Sequence, residues 1–507
     1  MSWIFRSRPK QNLTIVTMPL TARRFGYRDP AFLKELLTRD RSERCNSAKR
    51  IVTKLQQQFC NGEGEIRIIS TIQRLASECP FEDIRQIFTS LCKELEIPCS
   101  SRPISAFLPV QSIPQMSNIK GGPLLDFCQE SFLHLGRVRP LDQIIALLPE
   151  FALSFFRSYD ALMYGEGPLL VYERNYLAII AGARQRCRYI VKSQESEFLL
   201  NGGPPEWLSH PHTAPSKIRQ FLLLNAYMTH QPWKITTEMV SEILSGDANM
   251  SELVHAIVVL ATFQSLSGFC FGVGLLSDIK HDAINDTRPI QDDTNNLTKL
   301  LRTSLDELLS EASSCIYSDS DVSMSDDLVG PSDDTLDLLF EHYVGDVATN
   351  LQYEDFNVRS KDYKLFHMSD FDFKGQGYSL LSRYWHEQGA LLLDEEFDHI
   401  YSMTDRTFSG SEVDTGPFRR AIWHYTFRLF GVSNDAYNYQ EVNVFLNRSI
   451  KLYIKKSCCD AHRLTKEIFD GIGYNLRPDE IVHVSLLIME ARRQAILLYI
   501  LRALPSR

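Results

Sequence analysis

Apolar residues recur at helical spacing through nearly the whole chain, and strict alternation is almost absent. In PFEDIRQIFTSLCKEL (80–95), Ile84, Ile87, Phe88 and Leu91 fall on one face. Pro80 leads in, and Glu82 and Asp83 suit the positive end of a helix. A mixed apolar stripe covers Pro30–Leu55, and Gly121–Gly122–Pro123 opens a helical run that continues through Asp142–Tyr164. GEGP (165–168) interrupts it, Leu169–Val191 resumes it, and helices follow at Lys217–Thr229 and Ser251–Leu266. Two later helices carry sharp end signals. In VDTGPFRRAIWHYTFRLFG (413–431), Asp414 or Thr415 can cap, Pro417 fits the first turn and Gly431 stops the helix. In RPDEIVHVSLLIMEARRQAILLYILRAL (477–504), Asp479 is the expected cap of a long, largely apolar core helix. The pattern predicts an all-α fold.

Charge divides the chain. Between Arg302 and Arg359 there is no Lys or Arg against fourteen Asp and Glu. SDSDVSMSDDLVGPSDD (318–334) mixes those acids with serines and has too little apolar surface to offset its ordering entropy. A disordered acidic linker is therefore expected over 285–365, with room for a short helix near Leu336–His342. This gives an N-terminal extension (1–115, partly helical), a first helical domain (116–284), the linker (285–365) and a second helical domain (366–507).

Composition narrows the function classes. The 507 residues are 44% hydrophobic with a net charge of −9, which is ordinary for a soluble globular protein and argues against general nucleic-acid binding. No run of about 18 uncharged apolar residues stands out, so no membrane span is expected. Eleven cysteines, without C-x-x-C or His/Cys ligand spacing, favour a reducing compartment and no structural zinc. No cofactor is expected. The cytoplasm is the expected location, with the nucleus as a second one. Residues 1–28 carry six Lys/Arg and no acid. A basic unstructured tail fits them better than a mitochondrial transit peptide, because no amphipathic helix emerges.

One cysteine stands in a setting that invites chemistry. Cys187, in AGARQRCRYIVKSQ (181–194), lies within what reads as a helix, with Arg184 three residues before it and Tyr189 two after. IIAGARQRC (179–187) also aligns with LIMEARRQA (487–495): Ala183–Arg184 falls on Ala491–Arg492, and Cys187 on Ala495. That suggests a duplicated unit with a thiol in the first copy only.

Several segments together resemble the sestrins, stress-induced regulators built from two alkylhydroperoxidase-like helical halves packed as a pseudo-twofold pair. They are GPLLVYERNYLAIIAGARQRCRYIV (167–191), SELVHAIVVLATFQSLSGFCFGVG (251–274), VDTGPFRRAIWHY (413–425), YNYQEVN (437–443), KLYIKK (451–456) and VHVSLLIMEARRQAILLYILRAL (482–504). The resemblance implies a peroxide-reducing thiolate at Cys187 assisted by Tyr189, but the relay histidine position is Gln194. A glutamine amide can orient a peroxide and cannot relay a proton. No resolving cysteine stands nearby in sequence, and a buried core cysteine is the stronger reading. In the second half the resemblance implies a free-amino-acid pocket of leucine type. Glu480 would meet the ammonium, Arg419 the carboxylate, and Thr404, Thr407 and Thr415 would form a hydroxyl-bearing latch, with Asp405, Arg406 and Phe418 in the lining. Its tryptophan floor falls near Gly473, with Tyr474 as a possible substitute; Asp405 replaces a tyrosine, Phe418 a leucine and Leu148 a histidine. The implied partner is the GATOR complex upstream of the TOR kinase, met through Asp435 and Asn249, with Ala436 standing where the family has a second acid.

Three functions follow. The first is a regulator that inhibits TOR activation by holding GATOR, gated by an amino acid. The second is a hydroperoxide reductase using Cys187. The third is a helical scaffold with neither activity.

Overall fold

A computed structural model describes residues 31–60, 66–98, 103–119, 121–276, 333–359, 365–403 and 407–505. The basic tail, most of the expected acidic linker, and Thr404, Asp405 and Arg406 lie outside them, as does the side chain of Thr407. The all-α expectation holds: the described strands are four two-residue pieces.

The helices of ten or more residues are α1 (Arg41–Cys60), α2 (Ile66–Ser77), α3 (Glu82–Glu94), α4 (Pro123–Leu135), α5 (Pro149–Tyr164), α6 (Val171–Arg184), α7 (Arg188–Leu200), α8 (Phe221–His230) and α9 (Met250–Gly272). After the undescribed span come α10 (Asp333–Val344), α11 (Glu387–Ser402), α12 (Gly416–Leu429), α13 (Arg448–Cys459) and α14 (Pro478–Arg502). α9 and α14 pack against each other at the centre; α9 also packs on α6, and α14 on α12. The two halves meet again where α5 packs on α11, with Ser154 Oγ 2.7 Å from His399 Nδ1.

Local chemistry writes the ends of the core helices. Asn249 Oδ1 accepts from Glu252 N at 3.0 Å while Glu252 Oε2 accepts from Asn249 N at 3.0 Å, a reciprocal cap that opens α9. α9 is long and apolar enough to cross a membrane, a property masked in sequence by Thr262, Gln264, Ser265 and Ser267; its apolar window is wholly buried inside the fold, so it is a core helix. α14 begins differently from expectation. Arg477 is its cap residue, and Glu480 Oε2 accepts from Arg477 N at 2.8 Å; Asp479 instead pairs with Arg477 Nη2 at 2.7 Å.

Two segments depart from the sequence reading. Cys187 does not lie within a continuous helix: α6 ends at Arg184, Arg186 takes a left-handed φ of 57°, and α7 starts at Arg188. Gly182 lets the two helices meet closely, since a Cβ there would lie 2.7 Å from Ile190 Cγ2. The equivalence with α14 stops at this corner, because α14 runs straight through Ala495.

The second departure concerns residues 333–359, placed within the expected acidic linker: the short helix expected near Leu336–His342 is present, but it is longer and the residues after it are also docked. Together α10 and the segment after it form a strap that lies mainly on the first half. Phe340 and Tyr343 are buried, Tyr343 Oη donates to Glu195 at 2.6 Å, and His342 Nε2 sits 2.7 Å from the Leu208 carbonyl. Farther on, Gln231 donates to the Gln352 carbonyl at 2.7 Å and Tyr353 to the Leu429 carbonyl at 2.9 Å. A helical apolar stripe, Leu339–Phe340–Tyr343, is sufficient to dock the span despite its acidic composition.

Candidate functional site

In the second half, three chain segments converge. β2 (Thr407–Phe408) and β3 (Ser411–Glu412) form a hairpin whose turn residues, Ser409 and Gly410, take positive φ of 53° and 79°. Ser409 N donates to Glu480 Oε2 at 3.1 Å, which ties the hairpin to the first turn of α14. Glu480 is 5% exposed; among the described residues its Oε1 makes no hydrogen bond, although Arg477 Nε lies 3.5 Å away in an ion pair. Arg419 is buried in the first turn of α12, with Nε 3.4 Å from the Thr415 carbonyl. Thr415 is the residue preceding that helix, while Asp414 Oδ1 accepts from Gly416 N at 2.9 Å.

Beside these charges stands a triangle of aromatic rings. Phe408 lies 5.0 Å from Phe418 and 5.4 Å from Tyr474, and Phe418 lies 5.6 Å from Tyr474, all edge-on. Tyr474 is fixed because its oxygen donates to the Phe445 carbonyl and accepts from Asn447 N. Gly473, with φ of 83°, turns the chain so that the following tyrosine enters the cluster. Phe408 was absent from the sequence-based set; its place opposite Ser411 in the hairpin is what brings it in. The arrangement offers a buried carboxylate oxygen, a guanidinium at a helix start and an aromatic wall. Those are the groups a zwitterion with an apolar tail requires.

In the first half, Cys187 is 2% exposed at the corner between α6 and α7. Burial pushes its thiol up, but hydrogen bonds from the Cys270 thiol, the Ile190 and Tyr189 N–H groups and the Ser267 hydroxyl outweigh that and bring it below the ordinary 9.0. Cys270, on α9, moves well above its ordinary value through burial and its bond to Cys187. No cysteine is near Cys187 in sequence, as read; α9 brings Cys270 to it across the core. Arg184 does not face the sulfur; its guanidinium donates to the carbonyls of Val347 (3.0 Å) and Ala348 and so fastens the strap. Gln194 is buried, accepts from Asn175 Nδ2 at 3.0 Å and donates to Tyr159 Oη at 3.3 Å. Tyr189 is partly buried, and burial raises its phenol.

The implied partner surface is also ordered. β1 (Phe366–His367) pairs in parallel with β4 (Val432–Ser433). Just past β4, Asp435 accepts from Ser369 Oγ at 2.9 Å and lies 2.7 Å from His367 Nδ1. Those bonds hold its carboxyl below the usual range. Asp435 is exposed. Asn249 is also exposed, its side chain committed to capping α9.

An all-α chain in two halves, joined through paired core helices and carrying a buried thiol in one half and a charged aromatic site in the other, defines the class. The chain belongs to the sestrin family. The family model for PA26 p53-induced protein (sestrin) matches residues 103–326 and 310–506. A sestrin homolog of Dictyostelium discoideum is 33% identical over 510 residues, covering 84% of this chain and 80% of the relative. Sestrin-2 of Bos taurus is 36% identical over 440 residues (79% and 92%), and Sestrin-1 of Mus musculus 32% over 453 residues (79% and 89%).

Proposed function

We propose that this protein is a signalling regulator that restrains TOR activation by holding GATOR subunits, and that a free amino acid of leucine type, bound between Arg419 and Glu480, gates that hold. The observation that carries the reading is Glu480: a buried carboxylate beside three aromatic rings, tied by Oε2 to a hairpin, with an Oε1 that makes no hydrogen bond among the described residues and has Arg477 Nε at 3.5 Å. The ligand's ammonium would meet Oε1, Arg419 would take the carboxylate, and Phe408, Phe418 and Tyr474 would receive the tail. Thr404, Thr407 and Thr415, with Asp405 and Arg406, would close the hairpin side. Because Ser409 N and the ligand would share one carboxylate, occupancy would be felt in the hairpin's position.

A thermal-shift screen of the purified chain against each free amino acid tests this. Leucine, methionine and isoleucine should raise the melting temperature most, and a ligand at about 100 times its Kd adds roughly 2.7 kcal/mol. A flat response to every amino acid at millimolar concentration would leave a scaffold without a ligand. The partner surface has its own test. Asp435→Ala should weaken recovery of GATOR subunits in a pull-down while lowering the melting temperature only slightly, since the bonds it loses to His367 and Ser369 are solvent-exposed.

A second reading, hydroperoxide reduction, gains from the Cys187–Cys270 contact. Cys187 thiolate would attack the peroxide O–O bond, giving a sulfenic acid and an alkoxide; the Cys270 thiol would then form a disulfide and release water, and an added dithiol would reduce that disulfide for the next turnover. The alkoxide needs a proton, and Gln194 cannot relay one. Turnover of cumene hydroperoxide should therefore be feeble in the wild type and higher in Gln194→His. Robust wild-type turnover that disappears in Cys187→Ser would put the enzyme reading first.

A further inference from the structure

A groove of about 450 Å³ lies between the first half and the strap, well away in sequence from Arg419 and Glu480. Its apolar lining comes from Tyr176 on α6, Ile218 and Leu222, and Tyr343, Val344 and Val347 of the strap. Its polar lining comes from His210, His212 and Arg219, with Ser209 and His342. Among the described residues no Asp or Glu lines it, although the chain carries a net charge of −9 and the strap bears Glu341 and Asp346 on either side of its lining residues.

We propose that this groove binds a small organic anion with an apolar body, of the medium-chain carboxylate class, with its head on Arg219 and the His210–His212 pair and its tail beneath the strap. Volume fits the assignment, since small-molecule sites enclose about 300–1,000 Å³ and combine an apolar lining with a few polar groups. Charge fits it as well. Arg219 is exposed, its Nε anchored on the Ala214 carbonyl at 3.0 Å, and it pairs with no carboxylate among the described residues. The rings of His210 and His212 lie 5.8 Å apart at 81°, and His210 Nδ1 is 3.1 Å from Ser209 Oγ, which leaves its Nε2 and the His212 ring as the imidazole groups available to an anion beside the guanidinium. The far wall is held in place on both sides of the groove: Tyr343 Oη donates to Glu195, and Arg184 donates to the Val347 carbonyl. His342 adds a third anchor, its Nε2 on the Leu208 carbonyl, which commits that nitrogen to the strap rather than to a ligand. A ligand here touches both the first half and the strap, so its binding favours the docked strap.

Calorimetric titration of the full chain with octanoate, octan-1-ol and octylammonium, each below its aggregation limit, tests the proposal. Octanoate should bind at one saturable site, and the alcohol and the amine at least about tenfold more weakly, the difference one charge-assisted contact provides. Arg219→Glu, an exposed change that leaves the core intact, should weaken octanoate about tenfold or more. Hydrogen exchange at 339–347 should slow when octanoate is bound. Glu480→Gln should leave octanoate binding unchanged, which separates this site from the amino-acid site. Equal binding of octanol and octanoate, no saturable octanoate binding at millimolar concentration, or indifference to Arg219→Glu would each overturn the assignment.

Discussion

Arg419→Ala or Glu480→Gln, each alone, should abolish the stabilisation that a free amino acid gives the wild type, a loss of the whole shift rather than a fraction of it. A zwitterion that leaves water must find both charges matched, because a buried charge left unpaired costs several kcal/mol. Glutamine is the informative change at 480. Its amide oxygen can still accept from Arg477 N and Ser409 N, so the start of α14 and the hairpin contact survive, while the charge that would meet an ammonium is gone. Glu480→Ala would remove the cap as well and cost about 0.5–2 kcal/mol of baseline stability, so its shift must be read against its own unliganded melting curve. Thr407→Ala should only weaken the response, by the roughly 0.5–1.5 kcal/mol of one neutral hydrogen bond. Retention of the full shift in Arg419→Ala and Glu480→Gln would place the ligand elsewhere.

The second large effect concerns stability. Glu396 on α11 and Glu490 and Arg493 on α14 form a fully buried cluster, with Arg493 Nη1 3.0 Å from Glu396 and 3.4 Å from Glu490. One guanidinium cannot neutralise two carboxylates. Burial and the neighbouring Glu396 push Glu490 well above its ordinary value, so it keeps its proton and shares a hydrogen bond with Glu396. Arg493→Met should cost about 3–5 kcal/mol, because it strands a buried carboxylate. Glu490→Gln should be neutral or stabilising at pH 7. The sign follows from linkage. Glu490 binds its proton more tightly folded than unfolded, so its contribution is full below the unfolded carboxyl pKa and is lost as pH rises toward the raised folded value. Denaturant melts between pH 4 and 8 should therefore show a decline in wild-type stability from this group that Glu490→Gln lacks. A wild-type cost for Arg493→Met near zero would mean that water reaches the cluster.

Much of this molecule was legible one residue at a time. Helical spacing is a local property, so the all-α class, the Pro417 entry and Gly431 stop around α12, and the core character of α14 could be read without knowing any neighbour. Family resemblance likewise placed Arg419 and Glu480 at helix starts, because short runs such as GPFRR and RPDE carry both the capping signal and the charge. Gln194 was read as unable to relay a proton from its side-chain chemistry alone.

What only the tertiary structure decided depends on contacts between segments far apart in sequence. Cys187 gained Cys270 because α9 crosses the α6–α7 corner, and no spacing rule links them. Phe408 joined Phe418 and Tyr474 because a two-residue turn folded the hairpin onto α14. A short helix near Leu336–His342 was legible inside the acidic span, but not that Phe340 and Tyr343 cover a surface on α6 and α7, where burial outweighs an unfavourable local composition. Arg184 and Arg492 share a sequence signature but donate to different partners, the strap carbonyls and the Gln264 carbonyl. Sequence sets each segment's periodicity and charge. Which apolar face covers which, and so which buried charge must find a partner, is decided only when the helices pack.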